Sequence, residues 1–552
     1  MPGPRALGRV GDGPRTCTTR PLRVCLIRPP AITAPRSLSY YGAVPDLGLA
    51  YVAAAARAAG HHVSVIDAPG LAIEQRWEWS TTLGVLRGQG LPLGAIAERI
   101  PFDVDVVGIA HMFLHEWPML RALVAAIRAA RPYAFIVAGG ENASAMWELL
   151  LASTPGLDAV IRGEGELALQ RLLEQLSTGR ALDEAPSLAL RVHGRPHANA
   201  PAPRIGALDA WPWPAWDLFP IAAYLDRRIG SGVDLGRALP ILTSRGCPYQ
   251  CTFCSSPQMW TTRYVRRDPE RVLDEVAALQ QRYAVDNFNI NDLTALLTKE
   301  WILELCGAID RRGLRFTWQL PSGTRSEAID RDTADRMVAA GCRNFCYAPE
   351  SGSLRELARM RKRVEPARLL SSLEGAVDAG MVTHASIMIG TPGQQARDVV
   401  DTARFIAKMA GAGLHTLSVM VFAPYPGSVQ YDELRARGRL QHDEAWVYGS
   451  LLRSAGGTRS HHERWGPRRL FALQLGLLAG FFGLQYLRRP QRLARSAFAV
   501  ARGRQRTVLE QLASAKLAQL REGVANAASR ASARWHAMRW LGRSTAIASR
   551  QR

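Results

Sequence analysis

The chain has 552 residues, too many for one ordinary hydrophobic core, so two or three domains are expected. With 47% hydrophobic and 21% charged residues, it has the composition of a folded, soluble protein, which excludes a disordered or fibrous one. The net charge of +21 sits at one end: residues 451–552 hold nineteen Arg and one Lys against three Glu, leaving the body close to neutral.

Residues 1–21 are rich in Arg, Gly and Pro, lack the apolar run of a secretory signal, and read as a disordered arm. Over 22–180, short β-branched runs alternate with helical spacing. The pattern predicts strands at 23–27, 62–66, 104–109, 134–138 and 159–161, and helices at 47–59, 119–130, 145–151 and 166–176. Strands separated by helices imply an α/β domain with a Rossmann-like parallel sheet, whose ligand lies beyond the carboxyl ends of the strands. Those ends are 28–30, 67–69, 111–113, 139–142 and 162–166. The stretch 181–239 is Pro-rich and reads as a linker packed by Trp211, Trp213 and Trp216.

A second βα series is expected over 240–440. Its strands fall at 241–244, 287–291, 316–320, 344–348, 384–389 and 417–421, and its helices at 269–283, 300–311, 332–340, 366–379 and 396–411. Six such units suggest a partial (β/α)6 barrel with its chemistry at the strand carboxyl ends. Residues 441–552 read as a helical, basic C-terminal extension. Within it, 470–487 is apolar except for Gln474 and Gln485 and is flanked by Arg468, Arg469, Arg488 and Arg489. That is barely long enough to span a bilayer, and a buried or interfacial helix is the expectation.

Eight cysteines in this length do not make a disulfide framework, and a reducing cytoplasm fits them. Cys25, Cys306 and Cys346 sit in apolar surroundings and are expected to be inert core thiols. Three others fall in Thr243-Ser-Arg-Gly-Cys247-Pro-Tyr-Gln-Cys251-Thr-Phe-Cys254, directly after the first strand of the second series. Thiolates are the ligands of iron–sulfur clusters, and three without a fourth nearby leave one iron open. A zinc or structural site with a distant fourth ligand such as His384 is the alternative.

The C-x3-C-x2-C spacing, with Phe253 before the third Cys, resembles the radical S-adenosylmethionine (SAM) superfamily. The resemblance implies a [4Fe–4S] cluster on Cys247, Cys251 and Cys254. It also implies SAM chelating the open iron, and reductive cleavage to a 5′-deoxyadenosyl radical. Further elements at successive strand ends agree with that family. They are Asn291-Asp292, near which family members bind the SAM amino group; Glu350-Ser-Gly352, with Glu350 a SAM contact; and Gly390-Thr-Pro392-Gly393-Gln394, where Gln394 stands in place of the commoner Glu. Tyr425-Pro-Gly-Ser428 matches a fourth. An electron donor such as flavodoxin or ferredoxin is implied.

The front domain is similar to the cobalamin-binding module fused to one class of these enzymes. The likeness rests on Arg28-Pro-Pro30, Leu47-Gly-Leu-Ala-Tyr51, Val65-Ile-Asp67, Ala138-Gly139-Gly140-Glu-Asn142 and Arg162-Gly163-Glu164-Gly-Glu166. It implies cobalamin at Gly139, Gly140, Gly163 and Glu164, where glycine permits close backbone approach. There is no D-x-H-x-x-G motif, and His111 and His115 are expected to be surface or packing residues, not cobalt ligands. The alternative is a degenerate module that packs without a corrin.

The resemblance therefore implies a cobalamin-dependent radical SAM enzyme, most commonly one methylating an unactivated carbon or phosphorus of a small-molecule or lipid-like substrate. Oxidative ring formation, as in anaerobic Mg-protoporphyrin monomethyl ester cyclase, is the second reading. A non-catalytic cobalamin or iron–sulfur sensor with a nucleic-acid-binding tail is the third. The tail lacks a strand-rich RNA-binding module, which disfavours nucleic acid. Its Arg-flanked apolar helix would suit peripheral attachment to the inner face of a membrane.

Overall fold

The computed structural model describes residues 20–34, 43–324, 329–449, 451, 459–503, 507, 509–514 and 516–517. The expected arm, Cys17, and the Trp535 and Trp540 end of the tail lie outside the described residues.

Strand Arg23–Arg28 reads Arg-Val-Cys-Leu-Ile-Arg and buries Val24, Cys25, Leu26 and Ile27 together. A continuous apolar run of this kind belongs at the centre of a sheet covered on both faces. It pairs in parallel with His62–Asp67 on one side and Val106–Ala110 on the other. Phe135–Gly139 and Ala159–Ile161 follow in the same sense. In chain order these five strands are arranged 2-1-3-4-5, which places a topological switch point between Arg23–Arg28 and Val106–Ala110. Helix Leu47–Ala58 begins where Asp46 accepts from the Leu49 N–H, and it packs against Gly165–Thr178. The expected helix at 145–151 is instead two, Glu141–Ala145 and Trp147–Ser153.

Two pieces of this domain were not anticipated. The expected linker carries a hairpin, Leu188–Val192 and Arg195–Ala198, which adds two antiparallel strands to the sheet beside Ala159–Ile161. Its Pro-rich composition hid a five-residue strand whose pairing is long-range. A separate sheet joins Ala31–Thr33, Gly84–Gln89 and Arg76–Thr81. The alternating exposure of Arg-Trp-Glu-Trp-Ser-Thr is the period-two signal that could have revealed it.

The second domain is a sheet of six parallel strands in chain order: Ala238–Ile241, Asn287–Ile290, Thr317–Thr324, Cys342–Glu350, Val382–Ile389 and Thr416–Val421. Among the described residues the first and sixth are not paired, so the sheet is open. Helices Pro269–Tyr283, Lys299–Arg311, Arg331–Ala339, Pro366–Asp378 and Ala396–Ala412 lie between the strands. Asp268 and Asp330 cap two of them with side-chain oxygens. The apolar helix Pro467–Arg488 packs on Ala396–Ala412 and Thr416–Val421, completing the outer layer after the sixth strand.

The two sheets share one apolar cluster. It includes Leu26, Leu47 and Tyr51 of the front domain, Leu239 and Ile241 of the second, and Trp216, Phe219 and Leu225 of the segment between them. Cys25, Cys306 and Cys346 are buried, and burial pushes their thiols up to about 11, 12 and 12, as inert core cysteines require.

Candidate active site

The segment between the first strand and helix Pro269–Tyr283 is an ordered loop. Ser244–Arg245 pairs antiparallel with Val265–Arg266, and residues 246–255 leave that ladder as the cysteine loop. Gly246 has φ +91°, and a Cβ there would lie 2.2 Å from the Arg263 carbonyl oxygen, so only glycine permits this entry. Backbone bonds clamp the loop at Thr252: its N–H donates to the Met360 carbonyl, and its carbonyl accepts from the Gln430 N–H, both at 2.9 Å. The Cys254 N–H donates to the Cys251 carbonyl at 3.1 Å, turning the chain so that both thiols belong to one bend.

Cys247, Cys251 and Cys254 are half-buried and not in disulfides. Burial pushes the Cys251 thiol up to about 11. Lys362 pulls it down, and Cys254 and Cys247 push it further up, which marks the three as electrostatic neighbours. Among the described residues, no three His, Cys, Asp or Glu side chains are gathered tightly enough to cage an ion. The donor chemistry nevertheless fits an iron–sulfur cluster, three thiols on one clamped loop, and His384 Nδ1 is hydrogen-bonded to Thr416 Oγ1 at 2.8 Å.

Opposite this loop lies a cavity of about 300 Å³ at the carboxyl ends of the front-domain strands. Its front wall includes Gly48, Gly108, Gly139, Gly140, Gly163 and Gly165, with Leu26, Leu47, Tyr51, Val52 and Leu169. Gly140 has φ +120°, and a Cβ would come within 2.7 Å of the His111 carbonyl oxygen. The far wall is Leu242, Ser244, Arg245, Gly246, Met259, Trp260, Asn291 and Leu293, so the cavity ends beside the cysteine loop. A glycine-lined front wall at a switch point fits a large flat ligand. Neither His111 nor His115 lines it. His111 is fully buried, bonds Asn142 Nδ2 through Nε2 at 3.1 Å, and is held neutral by burial, which lowers it to about 3. His115 stacks on Phe113.

The remaining expected site residues divide. Asn291 lines the cavity; its Nδ2 donates to Ser231 Oγ, and its buried Oδ1 has no partner, which suits a polar ligand group such as that of SAM. Its neighbour Asp292 faces elsewhere. It accepts from Thr243 N and Oγ1 at 2.9 and 2.6 Å and from Ser244 Oγ at 2.5 Å, bracing the strand that leads into the cysteine loop. Glu350 ends its strand at φ +64°, buried, with Lys362 Nζ at 3.4 Å from Oε1; burial raises its pKa. Gly390 donates to Gln394 Oε1 at 2.7 Å, so glutamine preserves an acceptor, while its Nε2 is buried without a partner. A Cβ on Gly390 would meet Leu470, and Gly393 N donates to Glu463, so this turn receives the C-terminal segment.

Glu164 is absent from the cavity wall. Its Oε2 accepts from Arg204 Nε at 2.9 Å and Ile205 N at 2.8 Å, and its Oε1 lies 3.2 Å from Arg245 Nη1. Arg245 also binds Glu166 at 2.7 Å and lies over the rings of Tyr51 and Trp260 at 5.5 and 5.7 Å. This buried knot ties the front domain to a residue two positions before Cys247. A second tie is the hydrogen bond from Ser255 Oγ to Glu141, a cavity residue whose pKa is raised by burial. Arg245 and Glu141 were not singled out from the sequence. Each stands inside a noted motif, but only its partner in the other domain reveals a role.

Comparison with known proteins agrees with this layout. The radical SAM superfamily model matches residues 241–406, and the B12 binding domain model matches 36–173. An uncharacterized methyltransferase of Pyrococcus horikoshii is 30% identical over 74% of this chain and 82% of its own length. The cytidylyl-2-hydroxyethylphosphonate methyltransferase of Streptomyces wedmorensis is 28% identical over 72% and 79%. Among solved structures, the radical S-adenosylmethionine methyltransferase TsrM of Kitasatospora setae superposes with TM-score 0.59 at 18% identity, covering 86% of this chain and all of that one. The cobalamin-dependent S-adenosylmethionine radical enzyme OxsB does so with TM-score 0.57 at 16% identity, covering 76% and 56%. At those identities the likeness is one of fold. The two domains in this order, and a relative this close along most of its length, establish that the chain is a radical SAM enzyme of the family that carries an N-terminal cobalamin-binding domain.

Proposed function

We propose that the enzyme methylates an unactivated carbon, or a phosphorus centre, of a small-molecule or lipid-like substrate held between its two domains. The observation that carries this reading is the cavity, with a glycine-lined wall on the front domain and the cysteine loop at its far edge. Cys247, Cys251 and Cys254 would hold the cluster, Asn291 and Glu350 would contact SAM, and Gly139, Gly140 and Gly163 would receive cobalamin. When bound, these groups supply the hydrogen-abstracting radical and the methyl carrier. The chain's own contribution is placement and exclusion of water. Leu47, Val52, Leu169, Leu242 and Met259 make the wall largely apolar, which protects a reactive carbon centre from side reactions. Asp292 and Arg245 hold the strand before the cysteine loop from two sides, so the loop and the front domain keep one spacing.

The methyltransferases of Pyrococcus and Streptomyces to which the chain is similar support methyl transfer over ring formation. The anaerobic magnesium-protoporphyrin IX monomethyl ester cyclase of Rubrivivax gelatinosus is more distant, 24% identical over 58% of its length. Reductive cleavage calls for a low-potential donor such as flavodoxin or ferredoxin in a reducing compartment. The test is product stoichiometry from the reconstituted enzyme with cobalamin, SAM, reductant and a candidate acceptor. Methyl transfer yields S-adenosylhomocysteine and 5′-deoxyadenosine in equal amounts, with an acceptor carrying one more methyl. Deoxyadenosine without S-adenosylhomocysteine, accompanied by a dehydrogenated or cyclised product, overturns the methyltransferase reading. A reconstituted cluster that never cleaves SAM with any acceptor overturns catalysis by this route.

A further inference from the structure

Helix Pro467–Arg488 carries its polarity the opposite way from a water-facing helix. The two polar side chains of its apolar stretch point into the protein. Gln474 Nε2 donates to the Val419 carbonyl at 2.6 Å, and Gln485 Nε2 donates to the Leu414 and His415 carbonyls at 2.7 and 2.6 Å. Leu470 and Phe481 are buried on the same face. The opposite face exposes Ala472, Leu475, Gly476, Ala479, Gly483 and Leu487, with Leu487 82% exposed. The next helix, Pro490–Ala501, continues it with Leu493 and Phe498, each more than half exposed. Its neighbour in the outer layer, Ala396–Ala412, behaves as solvent requires, exposing Arg397, Arg404 and Lys408.

The exposed charge carried by these two helices has one sign, and Glu510, which accepts from Ser496, is buried. Arg468, Arg469, Arg488, Arg495 and Arg502 are exposed along the edges of the apolar face, and no acidic residue occurs between Glu463 and Glu510. Arg502 lies 4.1 Å over the Phe498 ring, so cation and apolar surface are presented together. Arg489 and Arg492 are engaged by the carbonyls of Ala410, Gly411 and Gly413 and fix the helix pair to the domain.

We propose that this two-helix face is a docking surface for an anionic lipid bilayer, with Pro467–Arg488 lying in the plane of the interface. By length and composition the helix could cross a bilayer. Crossing would break the bonds of Gln474 and Gln485, which anchor points about 16 Å apart along the helix to the sixth strand and to the two residues that lead into it. Lying flat keeps both, lets Leu475, Leu487 and Phe498 enter the boundary of headgroup and acyl chain, and sets the arginines against lipid phosphates. The inference rests on no part of the cavity's chemistry.

The test is co-sedimentation of the full chain with vesicles of phosphatidylcholine alone and of phosphatidylcholine mixed with phosphatidylglycerol. Binding to the anionic vesicles is expected to exceed binding to the neutral ones by roughly tenfold and to weaken with salt. Leu475→Glu with Leu487→Glu should remove most of it, and Phe498→Glu on the second helix part of it. Melting temperature and 5′-deoxyadenosine formation, measured on each variant, should stay at the parent's values and so separate lost docking from lost folding. Absence of vesicle binding overturns the proposal, as does binding that none of these substitutions alters. A dimer in solution that the same substitutions dissociate, with vesicle binding unchanged, would assign the face to a second copy and overturn it equally.

Discussion

The two walls of the cavity are made of different material. The front-domain wall is rich in glycine among apolar side chains: six of its residues are glycines, one of them at φ +120° with its Cβ position against a carbonyl. The second domain instead contributes side chains: an unpartnered Asn291 oxygen and a buried Arg245 held by two glutamates, with the three thiols on the clamped loop that begins at the cavity's edge. A wall rich in glycine is sensitive to added atoms and indifferent to much else. A wall of functional groups fails when one group is removed, even if the fold survives. Substitutions on either side should therefore fail in different ways.

The largest effect is expected on the second-domain side. Cys251→Ala should abolish iron retention and 5′-deoxyadenosine formation while leaving the melting temperature and corrin binding near the parent's; iron content and corrin absorbance check both. Arg245 joins the walls, and its removal should blur the contrast. Arg245→Met strands Glu166 in a buried site, while Glu164 keeps Arg204 and the Ile205 N–H, and the loss of roughly 3–5 kcal/mol is seen as a lower denaturation midpoint. Loss of that size with both cofactors still bound would make the knot purely structural. On the glycine wall, Gly140→Val adds carbons where a Cβ already meets the His111 carbonyl at 2.7 Å and imposes strain of about 1–3 kcal/mol. Corrin retention should fall and iron content should hold, the reverse of the cysteine variant.

The smallest effect concerns pH behind the glycine wall. Burial depresses His111 to about 3, below its ordinary value near 6.5. A folded-state pKa below the unfolded one means the unfolded chain binds the proton first. The stability this neutral imidazole carries is full above pH 6.5 and is lost as pH falls toward 3, by at most about 1.4 kcal/mol per pH unit. His111→Gln should flatten that part of the stability profile, measured by denaturant titration between pH 7 and pH 4.5. An unchanged slope would mean the ring is protonated in place.

Legibility followed the range of the interactions. The cysteine loop was readable because its three cysteines lie within eight residues, and the parallel strands because burial on both faces writes continuous apolar runs. The hairpins at 188–198 and 76–89 carry local signals that a Pro-rich or polar composition masked, while their attachment to Ala159–Ile161 and Ala31–Thr33 depends on partners outside the local pattern. Asp292 and Glu164 were legible as residues near a site. Their environments give one to bracing a strand and the other to an ion-pair knot.

By itself the amino-acid sequence determined two α/β domains in order, the thiol donor set, the glycines of the front wall and the apolar, arginine-flanked helix. These follow from periodicity, spacing and composition, which are local properties of a chain. Only the tertiary structure decided that the glycine wall meets the cysteine loop, that Arg245 and Glu141 join the domains, and which face of the apolar helix is buried. Each of those rests on residues tens to hundreds of positions apart in sequence, where no local pattern records which side chain will be the neighbour.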